Sequence, residues 1–479
     1  MKKTLDIDEV MLKSHNASEE FKLLNQKQVD KIVNAVYIAG FNKRVELAKL
    51  AREETRLGNW RDKTYKNIIA THFVYNDIKN LKTVGVISED QENGITEIAT
   101  PLGPILVITP ITNPTSTVLF KILISLKTRN PIVIIPHGAA RKSTIEAAHI
   151  CYEAALEAGV PMDSIQWIKH SSREQVLELM SHKMTALILA TGSVSLVRAA
   201  YKSGTPTIGV GPGNVPVFFG KTADIKFGVE QIVKSKMFDN GTVCASEQAL
   251  VLQDFNANEV IAEFKKHKAY FLDKNEIKKL ESVAFNKEMK VMNIEVIGQT
   301  AIHIAQMADI NVPGDTTLLI AQLDEVGIKS PLSLEILAPV LALYIVKDFD
   351  KAIEKCKEIN KHGGLGHTVS IFSNNIEKIR YFASVMNAGR VIVNTPSSQG
   401  ALGGLYNSLQ PSLTLACGTG GKNITTDNIS ARHLLNIQRI AWRKETECFE
   451  HFDSGMLLDE ETNIEQLEDE CFKKAKVLS

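Results

Sequence analysis

Three features are missing from this sequence, and each absence excludes a class of protein. A charge surplus is missing: 55 basic and 55 acidic residues balance, which gives no electrostatic reason to bind nucleic acid or an anionic membrane. Paired cysteines are missing, since the six cysteines lie far apart without a CxxC or Cys/His spacing, so we expect reduced thiols, no disulfide and no metal site. A run of about 18 apolar residues and a secretory N-terminal core are missing too, so we expect a cytoplasmic protein with a small-molecule substrate.

The first part of the chain predicts helices followed by a β-hairpin. The 479 residues predict two or three domains, and apolar residues recur at helical spacing from residue 25 to about 81. Residues 83–88 and 95–100 then have strand character and flank a turn that ends in Asn93-Gly94. Because an isolated ribbon is only marginally stable, we expect the hairpin to pack on another subunit or to pair with a later segment, such as the one after Leu413.

From Pro104 onward, short apolar runs alternate with helical segments. The runs cover residues 105–108, 132–135, 165–168, 187–189 and 215–219. Continuous apolar runs separated by helices are typical of a parallel sheet that is covered on both faces, so the sequence predicts an α/β fold. Such sheets bind ligands beyond the carboxyl ends of their strands.

The residues that follow these runs are polar or rich in glycine. They are residues 109–114, 136–140, 190–193 and 209–214. Thr191-Gly192-Ser193 opens a predicted helix, whose free backbone amides and dipole favour a phosphate. No complete GxGxxG fingerprint is present, and each segment taken alone is more typical of an ordinary loop. Only their joint placement favours a nucleotide site.

Cys244 is the candidate nucleophile. It lies among small, polar and turn-forming residues in the segment 237–248, and Asn240-Gly241 is a turn signal that can bring it to the rim of a cleft. A lone cysteine is more often a small apolar filler, so composition alone does not decide its role.

Several segments resemble the CoA-acylating branch of the aldehyde dehydrogenase superfamily. They are residues 108–117, 125–130, 238–248, 366–368 and 394–400. The segment around Cys244 is similar to that of the acetaldehyde dehydrogenase half of bifunctional aldehyde-alcohol dehydrogenases. The resemblance covers about residues 25–443. It implies a Rossmann-type cofactor domain, an α/β catalytic domain and a β-hairpin arm that joins subunits into a homodimer or higher oligomer.

The domain boundaries that we predict follow from this resemblance. They are an NAD-binding domain over 1–236 with the hairpin at about 83–100, a catalytic domain over 237–410, a C-terminal arm over 411–443 and an acidic tail over 444–479.

The resemblance also implies roles for individual residues. Cys244 is the nucleophile, and Asn113 with the Cys244 backbone amide forms an oxyanion hole. His367 is a candidate proton shuttle, although a histidine after a glycine-rich loop more often fixes that loop. The expected cofactor-binding residues are Thr109, Pro110, His137, Thr191, Gly192, Ser193, Gly209, Gly211 and Glu335, with Glu335 at the nicotinamide ribose. Hydrolytic relatives carry a lysine where this chain has Pro136-His137. This difference leaves the choice between NAD and NADP partly open, although the CoA-acylating branch mostly uses NAD.

The absence of a general base favours thiolysis. Gly209 stands where hydrolytic relatives carry a glutamate, so a thioester on Cys244 should survive until coenzyme A (CoA) arrives. The sequence thus predicts reversible conversion of a short aldehyde, in the first place acetaldehyde, with NAD and CoA to acyl-CoA. The alternatives are a hydrolytic enzyme with Glu247 or His367 as base, an acylating enzyme for succinate semialdehyde or sulfoacetaldehyde, and a non-catalytic nucleotide-binding or assembly subunit.

Overall fold

The computed structural model describes residues 5–286, 291–443, 455 and 458–467. The chain forms two compact units: one extends to Thr83 and resumes over Pro101–Leu435, and the other comprises Val84–Thr100 and the chain from Asn436. Most of the predicted acidic tail lies outside the described residues. Among the described helices, none combines the length and the apolar character that a bilayer crossing requires. The predicted boundaries of the cofactor and catalytic domains stay a prediction.

The helices and strands have the following bounds. The helices are α1 (Ile7–Phe21), α2 (Gln26–Asn42), α3 (Arg44–Thr55), α4 (Trp60–Ile68), α5 (Val74–Ile78), α6 (Pro114–Lys127), α7 (Arg141–Ala158), α8 (Arg173–Ser181), α9 (Val194–Lys202), α10 (Ile225–Met237), α11 (Asp254–Lys266), α12 (Lys274–Ala284), α13 (Ala301–Met307), α14 (Phe349–Lys361), α15 (Ile376–Val385) and α16 (Ser397–Leu402). The strands are β1 (Gly85–Asp90), β2 (Ile95–Pro101), β3 (Ile105–Ile108), β4 (Ile132–Ile135), β5 (Ile165–Trp167), β6 (Leu187–Thr191), β7 (Thr207–Val210), β8 (Val215–Phe219), β9 (Glu247–Gln253), β10 (Ala269–Phe271), β11 (Phe285–Asn286), β12 (Val291–Met292), β13 (Leu318–Gln322), β14 (Val340–Val346), β15 (Gly366–Phe372), β16 (Ala388–Val393) and β17 (Leu435–Ala441).

The predicted N-terminal helices are present. Asn25 caps α2 through a capping box with Gln28, and the apolar residues of α2 at helical spacing, such as Val29 and Ile32, are fully buried. A π-helical turn over Ile69–Phe73 joins α4 to α5. These helices pack in the first unit.

A five-stranded parallel sheet forms the predicted nucleotide-type layer. Its strand order is β5-β4-β3-β6-β7, and the chain runs outward from β3 first to one side and then to the other. Strands β3 and β4 are buried along their whole length, as their continuous apolar runs predicted. The direction of winding reverses between β3 and β6, which is where sheets of this kind bind ligands.

A seven-stranded parallel sheet, in the order β10-β13-β14-β9-β8-β15-β16, forms a second α/β layer. Strand β8 belongs to this sheet, where it pairs with β9 and β15. The pattern of apolar runs placed residues 215–219 with the first sheet, and that assignment is wrong. An apolar run shows that a strand is buried but does not show which sheet it joins.

The second unit contains the predicted hairpin. Strands β1 and β2 pair antiparallel, with an irregularity between Val86 and Ser88, and β17 lies beside β2. Just after β17, Trp442 donates its backbone N–H to the carbonyl of Gly94 at 2.8 Å and its indole N–H to Thr96 Oγ1 at 3.2 Å. Pairing of the hairpin with a segment beyond Leu413 is therefore confirmed.

Candidate active site

The loop that carries Cys244 is shaped by a left-handed turn. Asp239, Asn240 and Gly241 have consecutive φ values of 49°, 51° and 75°. A β-carbon on Gly241 would lie 2.8 Å from the backbone of Ala338, so this position requires glycine for both conformation and space. The turn leads to Cys244, which lies just before β9 and keeps part of its surface exposed.

Cys244 and His367 form a thiol–imidazole pair. The Cys244 sulfur lies 3.2 Å from Nε2 of His367. Although Cys244 is partly exposed, it sits deep in the protein, and burial raises the pKa of its thiol to about 12, with a further contribution from the Glu335 carboxylate. Burial also lowers the pKa of His367 to about 3, and the Arg390 charge acts in the same direction. Both groups are therefore neutral near pH 7, and their atoms lie within hydrogen-bond distance.

The other face of the imidazole is held by a polar chain. His367 Nδ1 lies 2.9 Å from Thr368 Oγ1, which also accepts from Nε of Arg390 at 3.3 Å. The buried Arg390 guanidinium donates in addition to the carbonyls of His367 at 2.9 Å and Ala416 at 2.7 Å. In one neutral tautomer Nδ1–H donates to Thr368 Oγ1, which leaves Nε2 able to accept the thiol proton. This arrangement orients His367 toward Cys244.

Asn113 is brought to the same loop. It precedes α6 but its side chain makes no capping bond, so it does not form the local turn contact typical of asparagine before proline. Its Nδ2 lies 3.2 Å from Thr112 Oγ1 and 3.5 Å from the carbonyl of Thr242, two residues before Cys244. Its Oδ1 accepts from Lys66 Nζ at 2.7 Å. The amide donor expected of an oxyanion hole thus lies beside the nucleophile loop.

Glu335 reaches Cys244 through Gly213. Glu335 Oε1 accepts the backbone N–H of Gly213 at 2.8 Å, and burial raises the pKa of this carboxyl to about 7. A β-carbon on Gly213 would lie only 2.0 Å from the carbonyl oxygen of Cys244, so glycine permits the close approach. The structure therefore gathers Cys244, His367, Asn113 and Glu335 at one site.

The expected phosphate edge lies where the first sheet reverses its winding. Thr109 and Pro110 follow β3, while Thr191 ends β6 and Ser193 caps α9 by accepting the N–H of Leu196 at 3.4 Å. The predicted helix after Ser193 is thus confirmed.

A buried lysine lies beneath this edge. Lys121 Nζ donates to the carbonyls of Ile108 at 3.3 Å and Leu189 at 3.0 Å, and to Thr191 Oγ1 at 3.1 Å. Burial lowers its pKa to about 7. It ties the ends of β3 and β6 together at the reversal point.

An apolar cleft opens beside the start of α9. It has a volume of about 300 Å³ and is lined by Arg173, Val176, Leu177, Met180, Ser193, Ser195, Leu196 and Ala199, on and beside α8 and α9. Its apolar walls and its place next to a helix N-terminus suit the adenine ring and phosphates of a dinucleotide.

His137, exposed after β4, accepts the N–H of Ala139 at 3.2 Å.

The glycine-rich segment after β6 contains two different environments. A β-carbon on Gly209 would lie 2.6 Å from Val197 Cγ1 and 2.9 Å from the Tyr201 hydroxyl, both on α9, whereas one on Gly211 would meet no heavy atom within 4 Å. The Gly209 carbonyl accepts from Tyr201 at 3.2 Å. A side chain at position 209 would therefore have to displace Val197 or Tyr201.

Glu247, the alternative base, is fully buried. Its Oε1 accepts the N–H of Ser397 at 2.8 Å, and burial raises its pKa to about 7. Since it is shielded from bulk solvent, this carboxyl lacks the solvent contact that activation of a free water requires.

Some residues of the site were not predicted from the sequence. Lys66, Lys121 and Arg390 are buried cations, but lysine and arginine are ordinarily surface residues, so their type argues against burial. The apolar residues on both sides of Lys121, over 118–124, are a signal that could have indicated its burial. Gly213 could have been found, because it belongs to the glycine-rich segment that was singled out.

Comparisons with known proteins identify the family of this chain. The aldehyde dehydrogenase family matches residues 1–315 and 325–410. The bifunctional aldehyde-alcohol dehydrogenase of Escherichia coli is 43% identical over 433 residues, which are 90% of this chain and 48% of that enzyme, so the chain spans about half of that relative. The succinate-semialdehyde dehydrogenase (acetylating) of Clostridium kluyveri is 33% identical, over 92% of this chain and 97% of that protein.

A solved structure of this family also matches the chain over most of its length. The crystal structure of an acetylating aldehyde dehydrogenase from Geobacillus thermoglucosidasius superposes with a TM-score of 0.89 at 44% identity, covering 92% of this chain and 97% of the other. The chain belongs to the aldehyde dehydrogenase family.

Proposed function

We propose that this protein is a CoA-acylating aldehyde dehydrogenase, which converts a short aldehyde, NAD and CoA reversibly to acyl-CoA and NADH. The observation that carries the choice of thiolysis over hydrolysis is the packing at position 209. The residue is glycine and its side-chain position is filled by Val197 and Tyr201, so no carboxylate can act as base there.

The proposed chemistry begins at the Cys244 sulfur. The thiol proton passes to His367 Nε2, the sulfur bonds to the aldehyde carbon, and the carbonyl electron pair moves onto oxygen. The Asn113 amide and the Cys244 backbone N–H donate to this oxyanion. A hydride leaves the tetrahedral carbon as the C=O bond re-forms, and NAD, when bound, accepts that hydride. The CoA thiolate then attacks the thioester carbon and displaces the Cys244 sulfur, which takes back the proton from His367 Nε2.

The residues present fit NAD. The α8–α9 cleft has apolar walls for an adenine ring, and Thr191 to Ser193 present a helix N-terminus for the pyrophosphate. The Glu335 carboxylate, next to Gly213, would accept the nicotinamide ribose hydroxyls.

We propose acetaldehyde as the first substrate, with succinate semialdehyde and sulfoacetaldehyde as alternatives. We also propose a cytoplasmic location.

The decisive experiment is turnover of the wild-type protein with NAD and acetaldehyde, with and without CoA. With CoA we expect steady NADH formation and acetyl-CoA as product. Without CoA only about one equivalent of NADH per active site should form, because the acyl-enzyme accumulates. Cys244→Ser is the control and should give no burst. Sustained formation of acetate without CoA at a comparable rate would contradict the proposal, and the same assay with the two alternative aldehydes ranks the substrates.

A further inference from the structure

We propose that Lys66 is a positioning residue that holds the Asn113 carboxamide in the orientation needed to stabilise the oxyanion. This inference rests on the proposed function, because it assigns Lys66 a part in aldehyde addition to Cys244. Lys66 lies on α4 and is 2% exposed. It is not among the residues to which the family resemblance gave a role.

The ammonium group of Lys66 is surrounded by acceptors. Its Nζ lies 2.7 Å from Asn113 Oδ1, 2.5 Å from Asp239 Oδ2, and 3.1 Å from both the carbonyl and the hydroxyl of Thr242. The group thus joins the side chain of Asn113 to the loop that leads into Cys244. Removing it would leave that loop and Asn113 without their shared partner.

The polarity of this contact fixes which way the amide points. An ammonium group can only donate, and the oxygen and nitrogen of an asparagine amide are nearly the same size, so a donor on one side is what distinguishes them. With Oδ1 held by Lys66, Nδ2 takes the other branch of the amide. Its acceptors are Thr112 Oγ1 at 3.2 Å and, at 3.5 Å, the Thr242 carbonyl that Lys66 also contacts. The longer of these is at the limit of a hydrogen bond, so an N–H remains able to turn to a substrate oxygen.

The Lys66 ammonium is held within a cluster of buried charges. Asp239 is fully buried and its Oδ2 accepts from Lys66 and from Lys63 at 2.9 Å. Burial raises the pKa of Asp239, but the two lysine charges outweigh it and keep the pKa low. Burial lowers the pKa of Lys66 to about 8, against the attraction of Asp239. The Asp62 carboxylate also acts on Lys66, so the positive charge next to Asn113 is the Lys66 ammonium itself and not a surplus of the cluster.

Lys63 offers a matched control on the same helix. It is also 2% exposed and pairs with the same oxygen of Asp239, but its other bond goes to the backbone carbonyl of Thr112 at 3.0 Å rather than to Asn113. Lys63→Met therefore removes an equally buried cation from the same carboxylate without touching the amide of Asn113.

The test compares Lys66→Met, Lys63→Met, Asn113→Ala and the double variant Lys66→Met/Asn113→Ala. In single turnover without CoA, Lys66→Met should slow the NADH burst by about 10-fold to 100-fold, and Lys63→Met by less than about 3-fold. The double variant should be no slower than Asn113→Ala, since Lys66 acts through that side chain. Lys66→Gln, which keeps an N–H donor, should restore part of the rate.

A second readout separates positioning from folding. Alkylation of Cys244 by iodoacetamide forms no carbonyl oxyanion, so Lys66→Met should alkylate at the wild-type rate while its burst is slow. If alkylation falls as much as the burst, or if the Lys66 and Asn113 effects multiply, Lys66 only supports the loop and the inference is wrong. Should Lys66→Met not fold, Lys66→Gln supplies the same comparison. A wild-type protein without any burst would instead overturn the proposed function.

Discussion

At the scale of single residues, Cys244 and His367 are both held in their neutral forms. The Cys244 thiol has its pKa raised to about 12 and the His367 imidazole has its pKa lowered to about 3. Since neither group is charged near pH 7, the Cys244 thiolate forms in the protein without substrate only as the pH rises.

This predicts an unusual pH dependence for alkylation of Cys244 in the protein without cofactor. A raised pKa keeps the neutral thiol to higher pH, so the rate with iodoacetamide should rise about tenfold per pH unit from about pH 7 to pH 10 without a plateau. An ordinary exposed thiol would level off above about pH 9. Mass spectrometry of the labelled peptides measures the alkylation of Cys244 separately from that of the other cysteines. A plateau below pH 8 would show a preformed thiolate and contradict the neutral pair.

At the scale of secondary-structure elements, the contact between β7 and α9 decides what position 209 can be. Gly209 on β7 faces Val197 and Tyr201 on α9, and that helix begins at the expected phosphate edge. A glutamate introduced at 209 would therefore push the helix away rather than act as a base. Glycine at this position lets the helix pack closely on the sheet.

We expect Gly209→Ala to lower the free energy of unfolding by about 1–3 kcal/mol, because its β-carbon would lie 2.6 Å from Val197 Cγ1. NAD should also bind more weakly, since α9 shifts. Gly211→Ala is the matched control for stability: its β-carbon meets open space, so the change should stay within about 0.5 kcal/mol. Urea unfolding monitored by circular dichroism measures both variants. Equal stabilities would show that β7 and α9 adjust freely.

At the scale of the whole molecule, the three-stranded sheet of the second unit is the segment that we expect to join subunits. Strand β1 is mostly exposed, as is β17, and Ile440 and Trp442 are 39% and 63% exposed. Exposed strands with apolar side chains are an aggregation hazard unless a partner covers them. A second copy of this chain is the partner that the family resemblance implies.

Light scattering of the purified protein should therefore give at least the mass of a dimer. Ile440→Lys places a charge on β17 and should shift the protein toward monomer on dilution, because burying a lysine in an interface is costly. Gln91→Lys, in the exposed turn of the hairpin, adds the same charge and should leave the mass unchanged. A wild-type protein that is monomeric and active when dilute would contradict this prediction.

The sequence alone determined the α/β class, the hairpin, the family and four strands of the first sheet, while β7 was missed because residues 209–214 were assigned to a loop. These predictions depend on local patterns: apolar runs, an Asn-Gly turn and short motifs, each readable within about a dozen residues. The contact between Cys244 and His367 was not predicted, since the two lie 123 positions apart.

Only the tertiary structure decided which sheet takes β8, what fills the space at Gly209, and how Lys66 and Lys63 surround Asp239. Lys66 and Asp239 are separated by 173 positions, and Glu335 and Gly213 by 122. The residues beside Lys66 in the chain do not distinguish it from an exposed lysine. Its partner is set by the packing of distant elements, and no local pattern records that packing.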